Sequence, residues 1–245
     1  ILRRSATLTA GRIDSPALVP SLAFVLNNDS HYLVRSAALI SSANKINQSP
    51  QIVEEVKLLL NDRYWQVRQS AVEALGLSNN PRTIELLIPR LKDYSWQVRY
   101  STNTSLGNRV NDYPTLKSSV SLGLNDTNPL VRQAAVMSSS KVKGPQMVSL
   151  LIPHLNDNSA YVREATRFTL AKKLTDNPEL LITYPRLKEL EPFIKEYQSK
   201  PGAIVVVFEG IDDFNPRSKL RHSGWSSGLL LRDTLELMNK LSGGK

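Results

Sequence analysis

A short motif that recurs at a nearly constant spacing limits most strongly how this chain can fold. In each copy an aspartate stands six residues before an arginine, and a valine directly precedes the arginine. The five full copies are Asp29 to Arg35, Asp62 to Arg68, Asp93 to Arg99, Asp126 to Arg132 and Asp157 to Arg163. Successive arginines are 33, 31, 33 and 31 residues apart. Such a period indicates that one small structural unit is repeated along the chain.

A partial sixth copy occupies the amino end. Leu2-Arg3-Arg4-Ser5-Ala6 resembles Val67-Arg68-Gln69-Ser70-Ala71, and Arg3 precedes Arg35 by 32 residues. Only the second half of this copy is present, so we expect an upstream segment or another chain to cover its apolar face. Because the numbering begins at Ile1 rather than at a methionine, we expect a processed chain or a fragment of a longer one.

Other residues keep the phase of the motif and predict two helices in each unit. Proline stands twelve residues before the aspartate and leucine two residues before it, in the same four copies: Pro50, Pro81, Pro114 and Pro145; Leu60, Leu91, Leu124 and Leu155. Proline is tolerated in the first turn of a helix, so each of these prolines is predicted to open a first helix that ends near the aspartate. The aspartate is then predicted to cap a second helix, and the arginine to pair with an aspartate of its own or an adjacent copy.

These units predict an all-α fold. A hairpin of two short helices cannot bury its apolar face alone, so successive hairpins must stack, as in a right-handed α-solenoid of the HEAT/armadillo-like kind. Alternate copies are the most alike, as Leu87-Ile88-Pro89-Arg90-Leu91 and Leu151-Ile152-Pro153-His154-Leu155 show. We therefore expect a superhelix in which hairpins are related in pairs.

The residues from Leu60-Asn61-Asp62 to Arg68, followed by Ala71, Ala74, Leu75 and Gly76, resemble HEAT repeats of the phycobilisome-lyase type. The resemblance covers about residues 1–175. It is specific for the fold and says little about function, because such repeats occur in scaffolds, chromophore-lyase subunits, nucleic-acid binders and enzyme adaptors.

Three segments are expected along the chain. Residues 1–175 form the HEAT-repeat solenoid, with a truncated first repeat, and residues 176–200 form C-terminal capping helices. Residues 201–245 form a tail outside the repeat, in which residues 203–208 are β-branched enough for one strand and residues 229–241 have the pattern of an amphipathic helix.

Composition and motifs argue against an enzyme. The chain has no cysteine, which excludes disulfides and thiolate ligands, and its three histidines lie in separate segments. Gly224-Trp225-Ser226-Ser227-Gly228 matches a nucleophile elbow, but no histidine follows Ser226. We therefore expect no catalytic residue, no cofactor and no metal site. No stretch is long and apolar enough to enter a membrane; the compartment stays open, with the cytoplasm as default.

One candidate partner-binding surface is an aromatic row. Three residues after the aspartate, successive copies carry Tyr32, Trp65 and Trp96, with Tyr64 and Tyr94 beside two of them. Exposed aromatic side chains bind protein partners or stack on bases. The alternative is that these rings wedge between neighbouring hairpins.

The second candidate surface is a basic stripe. Cations recur nine to eleven residues after the motif arginine: Arg12, Lys45, Arg109, Lys141, Lys143, Lys172 and Lys173. They fall at the ends of the predicted second helices, where cations are stabilised by the helix dipole. With a net charge of +9, the alternative is that the stripe follows the phosphates of a nucleic acid.

The sequence favours a scaffold or adaptor that binds another protein. The candidate contacts with this partner are the aromatic row and the cations Arg109, Lys141, Lys143, Lys172 and Lys173. A nucleic-acid-binding solenoid is the first alternative, and a chromophore-lyase-like subunit is the second. The oligomeric state stays open.

Overall fold

The computed structural model describes residues 1–193, except residues 14, 44, 48, 112, 114, 115, 143, 144 and 178. The predicted strand and helix of the 201–245 tail lie outside the described residues, as do Pro114 and Lys143. The chain divides into two compact units, Ile1–Lys141 and Val142–Lys245, and each is described by itself.

The first unit alternates the first and second helices of successive hairpins, beginning with a second helix. Its α-helices are α1 (Leu2–Arg12), α2 (Val19–Asn28), α3 (Tyr32–Ala43), α4 (Pro50–Leu59), α5 (Trp65–Gly76), α6 (Arg82–Leu87), α7 (Trp96–Gly107), α8 (Leu116–Leu124) and α9 (Pro129–Ser140). A 3₁₀ turn at Pro16–Leu18 leads into α2, and a second at Ile88–Lys92 extends α6.

The second unit continues the same alternation in its described part. Its elements are α10 (Val148–Leu151), α11 (Ala160–Asp176) and α12 (Leu180–Thr183), with 3₁₀ turns at Pro145–Met147, Ile152–Asn156 and Pro185–Leu190. Every element that the structure describes is helical, and the helices pair as repeated hairpins, which confirms the all-α solenoid fold class.

The phased prolines that the structure describes lie at or shortly before the starts of first helices. Pro50 is the first residue of α4, and Pro81 directly precedes α6. The inner prolines have a different effect: α6 and α10 both change to 3₁₀ geometry one residue before Pro89 and Pro153. Proline has no N–H for the α-helical hydrogen bond, and the tighter turn tolerates its loss. The proline that these two copies share therefore gives them the same local geometry.

Second helices pack on second helices and form the spine of the first unit. The pairs in contact are α1 with α3, α3 with α5, α5 with α7, and α7 with α9. The valine before each motif arginine is buried between helices, with Val67, Val98 and Val131 at 0% exposure. Burying a valine side chain stabilises the fold by roughly 1.5–3 kcal/mol. The motif valine is therefore a core residue of every hairpin.

Small residues allow these second helices to approach closely. A Cβ atom added to Gly76 would lie 2.5 Å from Ser105 Oγ and 2.7 Å from Ser105 Cβ. Gly11 faces Ser41 and Gly107 faces Ser138 in the same way. The hydroxyl of Ser138 also donates to the carbonyl of Asn103 at 3.0 Å. Glycine near the end of one second helix thus fits against a serine of the next.

Candidate partner-binding surface

The motif aspartates shape the turn between the two helices of each hairpin. In every described copy, Asp Oδ1 accepts a hydrogen bond from the backbone N–H two residues later, as Asp62 does from Tyr64 at 2.9 Å and Asp93 from Ser95 at 2.9 Å. Tyr64 and Ser95 directly precede α5 and α7. The prediction that the aspartate caps the second helix is therefore wrong in detail, because the side chain bonds to the residue before the helix and forms an Asx turn.

The motif arginines link consecutive copies. Arg35, Arg68 and Arg99 form salt bridges with the aspartate of the next copy, at 2.6, 2.7 and 2.6 Å respectively: Asp62, Asp93 and Asp126. Each of these arginines also donates to the backbone carbonyl of its own copy's aspartate, at 2.9, 2.8 and 2.7 Å. The predicted pairing is confirmed, and it joins the own copy and the adjacent copy at once.

The carboxylates of these ion pairs are enclosed, with the Asp62, Asp93 and Asp126 side chains 7%, 4% and 10% exposed. Burial alone would raise the pKa of Asp93, but hydrogen bonds from Arg68 and the Ser95 N–H, with the charges of Arg68 and Arg90, lower it below its ordinary value. The hydrogen bond to Asp93 raises the pKa of the Arg68 guanidinium. The charged side chains of the motif are therefore paired with one another within the repeats.

The residues beside these aspartates face outward. Arg63 and Tyr94 occupy the position directly after the aspartate in two consecutive copies, and both are exposed; Tyr94 has 103% of its reference surface accessible. We use the name turn surface for the residues His31, Tyr32, Arg63, Tyr64, Lys92 and Tyr94. All six lie at or beside the turns of three consecutive hairpins in the first unit.

Part of the turn surface is a stack of rings. His31 stacks on Tyr32 with centroids 5.3 Å apart, and Tyr32 stacks on Tyr64 at 4.7 Å with the ring planes 19° apart. The Arg63 guanidinium lies 4.8 Å from the Tyr64 centroid, which is a favourable cation–π distance. The stack crosses from one hairpin to the next and holds Arg63 at its end.

The residues of the predicted aromatic row are less exposed than Arg63 and Tyr94 of the turn surface. Tyr32, Trp65 and Trp96 are the first residues of α3, α5 and α7, and all three are only partly exposed. Tyr32 stacks on Tyr64 rather than on Trp65. The sequence pattern places Tyr64 and Tyr94 only beside the row. The available signal was their position: the residues just after the aspartate vary between copies, whereas the aspartate does not.

Several cations of the predicted basic stripe bind carbonyls of the preceding copy. Lys45 Nζ donates to Ile13 O at 2.9 Å, and Lys173 Nζ donates to Val142 O at 2.7 Å. These lysines are 2% and 5% exposed. Carbonyls at a helix end lack partners within the helix, so a cation from the next copy satisfies them.

The remaining stripe residues vary in environment. Arg109 donates to Thr83 Oγ1 at 2.9 Å, and Lys141 bonds to Asn108. Lys172 is partly buried and Arg12 is exposed. Lys143 lies outside the described residues. Lys45, Lys141 and Lys173 thus bond to the preceding copy, and Arg109 bonds to the first helix of its own hairpin, so these cations give a phosphate track little support.

Burial of the Lys173 amine is expected to make the stability of the fold depend on pH. Burial lowers its pKa from the ordinary 10.5 to about 8, against the raising effect of the Asp176 charge. The unfolded chain therefore binds this proton more readily between pH 8 and 10.5, so this lysine's contribution to stability rises with pH across that window and is constant below it. NMR titration of ¹³C-labelled lysine, assigned with Lys173→Met, is expected to give a midpoint near 8. An ordinary midpoint of 10.5 would contradict the burial.

Within residues 1–193, apart from the gaps given above, no group of three or more histidine and acidic side chains is placed to hold a metal ion. In the same part of the chain, no helix combines the length and the apolar character that crossing a membrane requires.

Two family models match the chain. One describes HEAT repeats and matches residues 52–120, and the other describes a HEAT repeat associated with sister chromatid cohesion and matches residues 109–136 and 139–166. Neither match addresses the phycobilisome-lyase type, which stays a prediction. No curated protein sequence matches the chain.

Solved structures with similar folds include YibA of Escherichia coli, which is 24% identical with a TM-score of 0.55, over 84% of this chain and 72% of that one. A computationally designed armadillo repeat protein for modular peptide recognition is 17% identical, with a TM-score of 0.47, over 74% and 92%. Human deoxyhypusine hydroxylase in complex with glycerol is 16% identical, with a TM-score of 0.37, over 70% and 78%. The first likeness supports the fold alone, and the other two are too distant to bear on this chain.

Proposed function

The chain is a HEAT-repeat protein, and we propose that it acts as a scaffold or adaptor that holds another protein within a larger assembly. HEAT and armadillo repeats generally serve as protein-interaction scaffolds and are typically not enzymes. Stacked hairpins present long rows of surface positions whose residues can change without disturbing the core. This is the property that a protein-binding scaffold needs.

The observation that carries the proposal is that recurring residues of the repeats bond to one another, while varying residues beside them are exposed. Recurring residues such as Arg68 and Asp93 are bonded to one another, whereas the varying residues Arg63 and Tyr94 beside them face solvent. Exposed, varying positions held on a rigid frame are where binding surfaces form. The aromatic rings and arginine found here are also the side chains that most often dominate protein interfaces.

The alternatives have weaker support. A nucleic-acid track would need the basic stripe, yet Lys45 and Lys173 donate to carbonyls of the preceding copy, and Arg109 donates to Thr83 of its own hairpin. A chromophore-lyase role depends on the sequence resemblance alone. We therefore place the partner contacts on the turns and propose a protein as the partner.

Affinity capture tests this proposal. The tagged chain, incubated with an extract of its native source and treated with nuclease, is expected to recover a stoichiometric protein partner that mass spectrometry identifies. Recovery should survive the nuclease, because the contact is between proteins. A chain that repeatedly recovers no stoichiometric protein, or loses everything on nuclease treatment, would not be a protein scaffold.

A further inference from the structure

The turn surface is positively charged on its outside. Arg63 and Lys92 are exposed, and neither has an ion-pair partner in the part of the chain that the structure describes. The aspartates beside them point inward: the Asp62 and Asp93 side chains are 7% and 4% exposed and are paired with arginines. The turns therefore keep their carboxylates inside and leave their free cations outside.

Arg63 and Lys92 form no salt bridge with the acidic side chains of the first helix α4, which the structure describes in full. Glu54 pairs with Lys57 at 3.2 Å, whereas Glu55 accepts a hydrogen bond from the neutral amide of Asn27 and keeps its own charge. A carboxylate from another molecule would find the Arg63 guanidinium and the Lys92 amine available.

The aromatic side chains of the turn surface supply the second half of a binding site. The stack from His31 to Tyr64 positions Arg63 without neutralising it, since a cation–π contact leaves the guanidinium N–H groups free for a carboxylate. The Tyr94 ring, in the next turn, is fully exposed. This large exposed ring lies two residues after Lys92 and one turn after Arg63, so it can contact an apolar or aromatic side chain that follows an acidic one.

We infer that the turn surface binds an acidic, aromatic-containing peptide segment of a partner protein. Arg63 and Lys92 take its carboxylates, and Tyr94 packs on its ring. This inference rests on the proposed scaffold function and names both the surface and the chemistry of the partner.

A peptide fits this surface better than a nucleic acid does. Phosphates recur at every nucleotide and require a continuous row of cations. The turn surface has two free cations, Arg63 and Lys92, with the enclosed carboxylates of Asp62 and Asp93 close by. Two carboxylates of a peptide are enough to pair with the Arg63 guanidinium and the Lys92 amine.

The test measures binding by the full chain with defined probes. A fluorescein-labelled random copolymer of glutamate and tyrosine serves as the acidic aromatic probe, with polyglutamate as the charge-only probe and oligothymidylate as the nucleic-acid probe. Fluorescence anisotropy is expected to show the copolymer bound more tightly than either of the others, with affinity falling as salt is added.

Variants locate the binding. Arg63→Gln with Lys92→Gln is expected to weaken copolymer binding roughly tenfold, because both carboxylate contacts are lost. The matched pair Arg12→Gln with Arg82→Gln removes the same charge from exposed positions, the last residue of α1 and the first of α6, and should change affinity little. Tyr94→Ala should weaken binding about fivefold, whereas Tyr94→Phe keeps the ring and most of the affinity.

Three results would overturn the inference: no binding of the copolymer, equal losses from the two charge pairs, or tighter binding of oligothymidylate. The scaffold function fails separately. If affinity capture still recovers a protein partner with the Arg63→Gln, Lys92→Gln chain, the scaffold stands and only this surface is excluded.

Discussion

Replacing Arg68 with alanine is expected to lower the free energy of unfolding of the first unit by about 3 kcal/mol. The side chains of Arg68 and Asp93 are 13% and 4% exposed. Removing the guanidinium leaves the Asp93 carboxylate enclosed without its main partner and frees the carbonyl of Asp62. Urea unfolding followed by far-UV circular dichroism measures the loss.

Another salt bridge between a motif arginine and the aspartate of the next copy provides a matched control. Arg3 makes the equivalent salt bridge to Asp29, at 2.9 Å, but its side chain is 67% exposed. Arg3→Ala should therefore cost no more than ~1 kcal/mol. Arg68→Lys should fall between the two alanine variants, because lysine keeps the charge without the forked geometry. Equal costs for Arg3→Ala and Arg68→Ala would mean that enclosure of the pair does not set its strength.

Acid unfolding gives an independent measure of the Arg68 salt bridge. Burial would raise the pKa of Asp93, but the contacts with Arg68 and Ser95 lower it below the ordinary 3.8. A carboxyl with a lowered folded pKa contributes its full stability above the ordinary value and loses it as the pH falls through the folded one. Arg68→Ala should reduce this loss below pH 3.8. An unchanged acid profile would show that Asp93 does not depend on Arg68.

The second large effect is expected from adding one methyl group at Gly76. The new Cβ would lie 2.5 Å from Ser105 Oγ and 2.7 Å from Ser105 Cβ, so α5 and α7 would have to separate. Overpacking of this kind costs about 2 kcal/mol. At a helix position without such a neighbour, glycine to alanine instead stabilises by up to ~1 kcal/mol. The sign of the change in urea midpoint therefore reports the helix contact.

A second substitution should restore the contact. Without the Ser105 side chain, the nearest Ser105 atom to the new methyl group is its Cα, at an ordinary 3.5 Å. Gly76→Ala with Ser105→Gly is expected to be more stable than the sum of the single variants, which a double-mutant cycle measures. Additive losses would place the strain elsewhere.

The sequence alone determined the repeat and what it implies locally. The fixed spacing of Asp and Arg, the phased prolines and the buried valines predict helical hairpins, because helix starts, turns and apolar faces depend on residues close in the chain. The salt bridge from Arg68 to Asp93 was predicted only as one of two pairings, with the aspartate of the same copy or with that of an adjacent copy. The sequence pattern does not say which copy lies within reach of a long side chain.

Only the tertiary structure decided what the residues between these landmarks do. Lys45 and Lys173 have the sequence signature of a surface stripe, yet stacking brings the carbonyls of Ile13 and Val142 within their reach. Tyr64, rather than Trp65, stacks on Tyr32, across the boundary between two neighbouring hairpins. Exposure and partner choice depend on how neighbouring hairpins pack, and packing joins residues about one repeat apart in sequence. The sequence therefore determines the hairpin, and the stacking of hairpins determines which side chains remain free to bind.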